Sequence, residues 1–265
     1  MIPKIIHYCW IGGKPLTPLA QKCIASWHHV MPDYEIKCWD ESNYNFQKNT
    51  FMANAYKQNK WGFVPDYARL DIIYNYGGIY FDTDVEALKP FDDFLKYPAF
   101  CGFESEHFVA LGLGFGAEKG NKVIKDLMQP YENMDFKISD KILKQASLYT
   151  KISVSEWAKN GLIISPFLQT DNLVNKYGLI QNNKRQSLDG MEVFPSSYFC
   201  PRNKYYIPAK TENAYSIHLF AGSWVPMSER IKWKIVKLLR AYIGNETVEF
   251  LFKLKRKIKA ILNKK

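Results

Sequence analysis

The stretch that most constrains this chain runs from Val64 to Asp84, Val-Pro-Asp-Tyr-Ala-Arg-Leu-Asp-Ile-Ile-Tyr-Asn-Tyr-Gly-Gly-Ile-Tyr-Phe-Asp-Thr-Asp. Pro65 suits the first turn of a helix, where its missing N–H would be unpaired anyway. Asp66 then falls where the helix dipole favours an anion. Leu70, Ile73 and Tyr74 recur at helical spacing, and Gly77-Gly78 ends the helix. Ile79-Tyr80-Phe81 reads as a short buried strand. Two carboxylates follow it with one residue between them. A strand running into Asp-x-Asp offers hard oxygen ligands at a sheet edge, and strict alternation would put Asp82 and Asp84 on one face. Carboxylates so placed hold Mg²⁺ or Mn²⁺ while substrate phosphates complete the shell. The triplet alone is common by chance; its setting carries the reading.

The rest of the chain is read around this unit. Ile2 to Trp10 is apolar and β-favouring, followed by Ile11-Gly12-Gly13, a strand running into a glycine loop as nucleotide-binding α/β sheets begin. Tyr8 and Trp10 could lie against a base or pack in the core, and His7 reads as a core histidine rather than a ligand. Helical spacing covers Thr17 or Pro18 to about Val30, and Tyr34 to Trp39 alternates like a second strand. Asn49 to Asn59 is weakly helical. Tyr97 to Phe103 reads as a strand ending at Glu104. Val109 to Ala117, with Gly112, Gly114 and Gly116, reads as a strand or loop that lets a ligand approach the backbone. Asn121 to about Glu132 is a helix, and Met191 to Pro195 a short strand. No element is assigned between Asp135 and Leu188, where Asp140, Gln169 and Asp171 read as solvated or capping rather than acceptor-facing. The βαβα order favours an open, mostly parallel sheet with helices on both faces. Ser216 to Trp224 reads as a strand that could carry His218 back to the carboxylate edge, where a neutral imidazole suits Mn²⁺ as a third ligand; taken alone, His218 reads as a buried structural histidine.

Charge separates the two ends. Of 36 Lys/Arg and 26 Asp/Glu, 12 basic and 3 acidic residues lie from Glu229 onward, so the first 228 residues are nearly neutral. That weakens a nucleic-acid reading, which wants basic charge over the folded surface. Ile231, Ile235, Leu238, Leu239 and Tyr242 share one helical face against Lys232, Lys234, Lys237 and Arg240, and Val248 to Leu262 repeats the scheme. Such helices lie in the interface of an anionic bilayer or dock on a domain with a solvated basic face. Five cysteines without a CxxC argue for a reduced compartment and against a zinc or disulfide frame. The N-terminus lacks the apolar run of a signal peptide, so the expectation is a cytoplasmic chain held peripherally at the inner face of the cell membrane. Its expected parts are a domain over 1–226 and a basic amphipathic helical tail over 227–265.

Three blocks taken together, Ile2-Pro-Lys-Ile-Ile-His-Tyr-Cys-Trp-Ile-Gly-Gly13, Asp66-x-x-Arg69 before Gly77-Gly-Ile-Tyr-x-Asp82-x-Asp84, and His218-x-x-Ala221-Gly-Ser-Trp224, resemble glycosyltransferase family 32. That family includes capsular polysaccharide enzymes, yeast mannosyltransferase relatives and, more distantly, clostridial glucosylating toxins. The resemblance is dense over residues 1 to about 105 and 214 to 224, and thin between. It implies a GT-A fold, a Rossmann-like nucleotide-binding mixed sheet flanked by helices. It also implies a divalent metal, Mn²⁺ or Mg²⁺, and a nucleotide sugar, most plausibly UDP-linked, transferred with retention of configuration. Carried over, Tyr8, Trp10 and Ile11 would contact the base, with Trp10 stacking on it. Asp66 and Arg69 would bind the sugar and diphosphate side of the donor. Asp82 would touch ribose, sugar hydroxyls or a metal-bound water, and Asp84 and His218 would hold the metal. Ser223 and Trp224 would close over the diphosphate. The expected activity moves galactose, glucose or an N-acetylhexosamine to a saccharide acceptor, with a lipid-linked oligosaccharide suggested by the tail. Rival readings are a sugar-nucleotide hydrolase or nucleotidyltransferase, and a non-catalytic carbohydrate- or membrane-binding protein.

Overall fold

A computed structural model describes residues 1–136 except 133, residues 165–202 and 209–222, and separate positions between 231 and 254. Asp140, Ser223, Trp224, the 226/227 boundary and the tail from residue 255 onward lie outside the described residues. Seven strands form one sheet in the order β2 (Glu35–Trp39), β1 (Ile5–Cys9), β3 (Gly78–Tyr80), β6 (Phe115–Ala117), β5 (Ala99–Gly102), β8 (Met191–Phe194), β7 (Gln186–Leu188). A two-stranded ribbon pairs β4 (Val85–Ala87) with β9 (Ser216–His218).

The expected mixed sheet flanked by helices is what forms, but it is not mostly parallel. β1 runs parallel to β2 and β3, and β5 to β8, whereas β3–β6, β5–β6 and β7–β8 are antiparallel. The βαβα order seen up to Tyr80 stops there. β6 enters beside β3 from the opposite direction, through the glycine-rich stretch after Val109.

Local chemistry accounts for the helices. α1 (Pro18–Val30) starts on Thr17, whose hydroxyl accepts the Ala20 N–H at 3.2 Å, and buries Ala20, Cys23 and Trp27. Asn49 caps α2 (Thr50–Lys57) by accepting the Met52 N–H at 3.1 Å. α3 (Pro65–Tyr76) has Asp66 to Ile73 all buried, because it lies between the sheet and α2 and α4 (Lys122–Glu132). It ends at Gly77, whose φ of +69° only glycine adopts freely. A Cβ on Gly78 would stand 2.7 Å from the Ile5 carbonyl oxygen, so β1 and β3 approach closely at that point.

Period-two alternation sorts the core. Ile6, Ile79 and Phe81 pack on one face with Trp27, Phe91 and Phe199; Cys9 and Tyr80 pack on the other with Leu70, Phe103 and Leu127. His7 is fully buried. Its Nδ1 accepts from the Trp39 indole at 3.0 Å and its Nε2 donates to the Gly77 carbonyl at 2.9 Å. Both nitrogens are satisfied only in the neutral ring, and burial pushes its pKa down to about 4. His7 is thus the core histidine expected. In the tail, the described positions of 231–254 are helical apart from the break at Gly244. Ile231, Ile235, Leu238, Leu239 and Tyr242 are all exposed there.

Candidate active site

Asp82-Thr83-Asp84 lies not on a strand but on the turn that joins β3 to β4, closed by Val85 N–H donating to the Asp82 carbonyl at 3.1 Å. Strand alternation therefore does not explain why the two carboxylates converge; the turn does. β4 leaves that turn and pairs antiparallel with β9, with Val85 opposite His218. This register delivers His218 to Asp84 across 134 positions, with Nε2 3.1 Å from Oδ1. Two more bonds hold the returning chain: Leu219 N–H donates to the Asp84 carbonyl at 2.9 Å, and Ala221 N–H to Asp84 Oδ2 at 2.8 Å. Asp82, Asp84 and His218 each offer a ligand atom, and these atoms all lie within 4.8 Å of one another.

The electrostatics of this trio follow from burial and pairing. Burial alone would raise the Asp84 pKa, yet His218 and the backbone N–H groups hold it below the usual carboxylate value. Burial alone would lower His218, and Asp84 reverses that, so its pKa stands above 6.5. His218 Nδ1 is buried and has no hydrogen-bond partner. Two carboxylates and an imidazole at this separation fit a hard or borderline divalent cation, an N,O donor set suited to Mn²⁺.

Arg69 stands behind the trio. It is 5% exposed; its Nη2 lies 2.9 Å from Asp66 Oδ1 and 3.4 Å from Asp82 Oδ1, and its Nε donates to the Pro65 carbonyl at 2.9 Å. Both charged partners come from known geometry: Asp66 sits one turn earlier on α3, and Asp82 on the turn after β3. Burial pushes the Asp66 pKa up to about 7, against the pull of Arg69. The structure thus brings Asp66, Arg69, Asp82, Asp84 and His218 into one cluster.

The residues expected on the base side lie in β1 (Tyr8) and just after it (Trp10, Ile11), and β1 runs parallel to β3. Tyr8 is 8% exposed, with its ring edge-on to Trp27 at 5.6 Å, so most of its surface is spent on core packing. Trp10 is half-buried and donates its indole N–H to the Lys14 carbonyl at 2.5 Å. Ile11 packs partly against the core, and Gly12 lies so close to Trp61 that a Cβ would sit 3.0 Å from its ring.

Sequence reasoning missed three contributors. Gly112 presses on the site: its carbonyl accepts the Asp82 N–H at 3.1 Å, and a Cβ there would stand 2.0 Å from Asp82 Oδ2. The loop carrying Gly112 is tied to α5 (Ser165–Tyr177). Gln169 Oε1 accepts the Leu111 N–H at 3.1 Å and Thr170 Oγ1 the Val109 N–H at 3.0 Å. Gln169, 1% exposed, also donates to Ser165. It is a buried anchor, neither solvated nor a cap. Third, Arg202 pairs with Glu104 at 3.0 Å and stacks at 4.3 Å on Phe220, whose ring meets His218 edge-on at 4.2 Å. Only the glycine spacing of 112–116 carried any signal of this.

Residues 18–101 match the family described as "Glycosyltransferase sugar-binding region containing DXD motif". Inositol phosphoceramide mannosyltransferase 3 of Schizosaccharomyces pombe is 30% identical over 168 residues, 60% of this chain and 46% of that protein. The chain thus spans about half the length of that relative. An uncharacterized glycosyltransferase, L373, of Acanthamoeba polyphaga mimivirus is 29% identical over 262 residues, 95% of this chain and 92% of that one. Among solved structures, the PaToxG glycosyltransferase superposes with a TM-score of 0.44 at 19% identity, covering 66% of this chain and 70% of that one. The chain therefore carries a DXD-containing glycosyltransferase sugar-binding region, set on a mixed sheet flanked by helices.

Proposed function

We propose that the chain is a metal-dependent, retaining glycosyltransferase of the family 32 type that moves a hexose from a UDP-sugar to a saccharide acceptor. One observation carries the reading: Asp82, Asp84 and His218 offer ligand atoms within 4.8 Å, with the paired Arg69 directly behind. Asp84 and His218, with Asp82, would hold Mn²⁺ or Mg²⁺. When bound, that cation supplies neutralisation of the charge that builds on the departing diphosphate. Arg69 adds a fixed positive charge, held in place by Asp66 and Asp82 so that no reorganisation is needed. By the resemblance to family 32, Asp66 and Asp82 would face the sugar side of the donor and Trp10 and Ile11 the base side; the same resemblance assigns Ser223 and Trp224, outside the described residues, to the diphosphate. A phosphate oxygen takes the acceptor proton, so no separate general base is required.

The acceptor we infer is a lipid-linked oligosaccharide of surface polysaccharide synthesis, reached from the inner face of the membrane. Two facts support a lipid-borne acceptor: the exposed apolar positions of the basic tail, and the name of the fission-yeast relative, a ceramide-directed mannosyltransferase. Among the described residues no helix is long and apolar enough to cross a membrane. Thermal-shift screening of UDP- and GDP-sugars, with and without Mn²⁺, tests the donor. Stabilisation by one UDP-hexose that depends on Mn²⁺ is the expected result. Stabilisation only by GDP-sugars would replace the donor by a mannose-type one, and no response to any sugar nucleotide would reject the reading.

A further inference from the structure

On another face of α3 lies a cavity of about 480 Å³, within the range of small-molecule sites at about 300–1,000 Å³. Its α3 residues are Asp71, Asn75 and Tyr76. Asp71 is five positions beyond Asp66, about 140° further round the helix, so this cavity and the carboxylate trio do not share a wall. The floor is Asp71, 7% exposed. Its Oδ2 accepts from the Tyr44 hydroxyl at 2.8 Å and pairs with Lys48, and its Oδ1 accepts from Asn75 Nδ2 at 3.1 Å. The carboxylate is therefore compensated, and the floor is a fixed polar surface rather than a cation hole.

Aromatic rings form one wall. Trp39 and Tyr76 meet at 4.9 Å with their planes 45° apart. Lys37 Nζ rides over both rings, 4.5 Å and 5.1 Å from their centroids. Tyr76 is 48% exposed and lines the cavity. Lys119 stands at the rim, its backbone fixed against the end of α3, where Gly120 N–H donates to the Tyr74 carbonyl at 2.8 Å. Lys48 and Lys119 outnumber the single, already paired Asp71, so the cavity carries net positive charge.

We propose that this cavity is a second carbohydrate site, which holds an acidic sugar unit of the polysaccharide chain that the enzyme extends. The exposed edge of Tyr76 receives the C–H face of a pyranose, Asn45 Nδ2 and Asn75 Oδ1 meet its hydroxyls, and Lys119 meets its carboxylate. The rings are tilted against each other and leave no parallel slot for a nucleobase. The choice of a saccharide rests on the glycosyltransferase reading; the positive, aromatic and amide lining is independent of it.

The test is calorimetric titration of the full chain with trigalacturonic acid, with maltotriose as the neutral control. Trigalacturonate is expected to bind the wild type and Asp84→Asn alike, because the carboxylate trio is not involved. Lys119→Glu and Tyr76→Ala should each weaken it by at least about tenfold, and maltotriose should bind at least about tenfold more weakly than trigalacturonate. Lys119→Glu alters a solvent-exposed rim residue, so its effect cannot be confused with misfolding. Absence of saturable binding, binding untouched by both substitutions, equal affinity for maltotriose, or displacement by UDP with Mn²⁺ would each overturn the proposal. Failure of the donor reading would show separately, as a missing sugar-nucleotide response with this titration unchanged.

Discussion

Adding one methyl group at Gly112 should disable the site without unfolding the chain. A Cβ built there lies 2.0 Å from Asp82 Oδ2, 2.8 Å from Asp82 Cγ and 3.0 Å from Arg69 Nη1. Carbon–oxygen contacts settle at about 3.3 Å or more, so the carboxylate has to retreat by more than about 1 Å. The Asp82 N–H bond to the Gly112 carbonyl keeps the two backbones from separating, and Arg69, clamped by Asp66, blocks retreat on its side, so the carboxylate has to rotate out of its place. Overpacking of this kind costs about 1–3 kcal/mol of stability. A misplacement of about 1 Å costs about a hundredfold in rate, equivalent to about 2.7 kcal/mol of barrier. Gly112→Ala should therefore fold, melt somewhat lower, and lose about a hundredfold in kcat for sugar transfer. The decisive assay is a double-mutant cycle with Asp82→Ala. If the methyl acts through Asp82, the double variant should be no slower than Asp82→Ala alone. Full activity of Gly112→Ala, or losses that simply add in the double variant, would refute the reasoning.

Three further outcomes follow from the same geometry. Asp84→Asn should remain folded and lose nearly all Mn²⁺-dependent transfer, and chelation of wild type should do the same reversibly; wild-type transfer by the variant would reject Asp84 as a ligand. His7 contributes to acid sensitivity. Its folded pKa of about 4 lies below the unfolded 6.5, so the unfolded state takes the proton first. Stability from this group is whole above about pH 6.5 and falls by about 3 kcal/mol as pH drops to about 4. Chemical denaturation across that range should show the slope, and His7→Gln should flatten it. Truncation after Pro226 should leave donor hydrolysis intact and abolish sedimentation with anionic vesicles; unchanged sedimentation would exclude the tail as the membrane contact.

The parts legible in sequence are those governed by local chemistry. α1, α3 and α4 fall close to the ranges that their caps, prolines and periodicity predict, and the Gly77-Gly78 stop lies where two positive-φ residues are required. The return of His218 to the carboxylates was legible only through the family resemblance; taken alone the residue reads as a structural histidine. What was hidden depends on pairing between distant segments. Nothing in Phe115-Gly-Ala says that β6 runs against β3, and Thr83 gives no hint that a turn replaces the strand. The anchoring role of Gln169 was invisible, because a buried amide in a helix reads like any polar residue. Gly112 was seen as permissive backbone, whereas its function is the space that it leaves for Asp82.

Asp84 fastens the downstream segment twice, through its own carbonyl to Leu219 and through Oδ2 to Ala221, while its other oxygen faces His218. One residue thus both rivets the last strand, through main chain and side chain, and turns an oxygen toward the proposed metal site. Substituting it with alanine keeps the main-chain bond to Leu219 but removes both side-chain oxygens, whereas asparagine retains an oxygen for the Ala221 amide. The difference between those two variants therefore separates seam from chemistry.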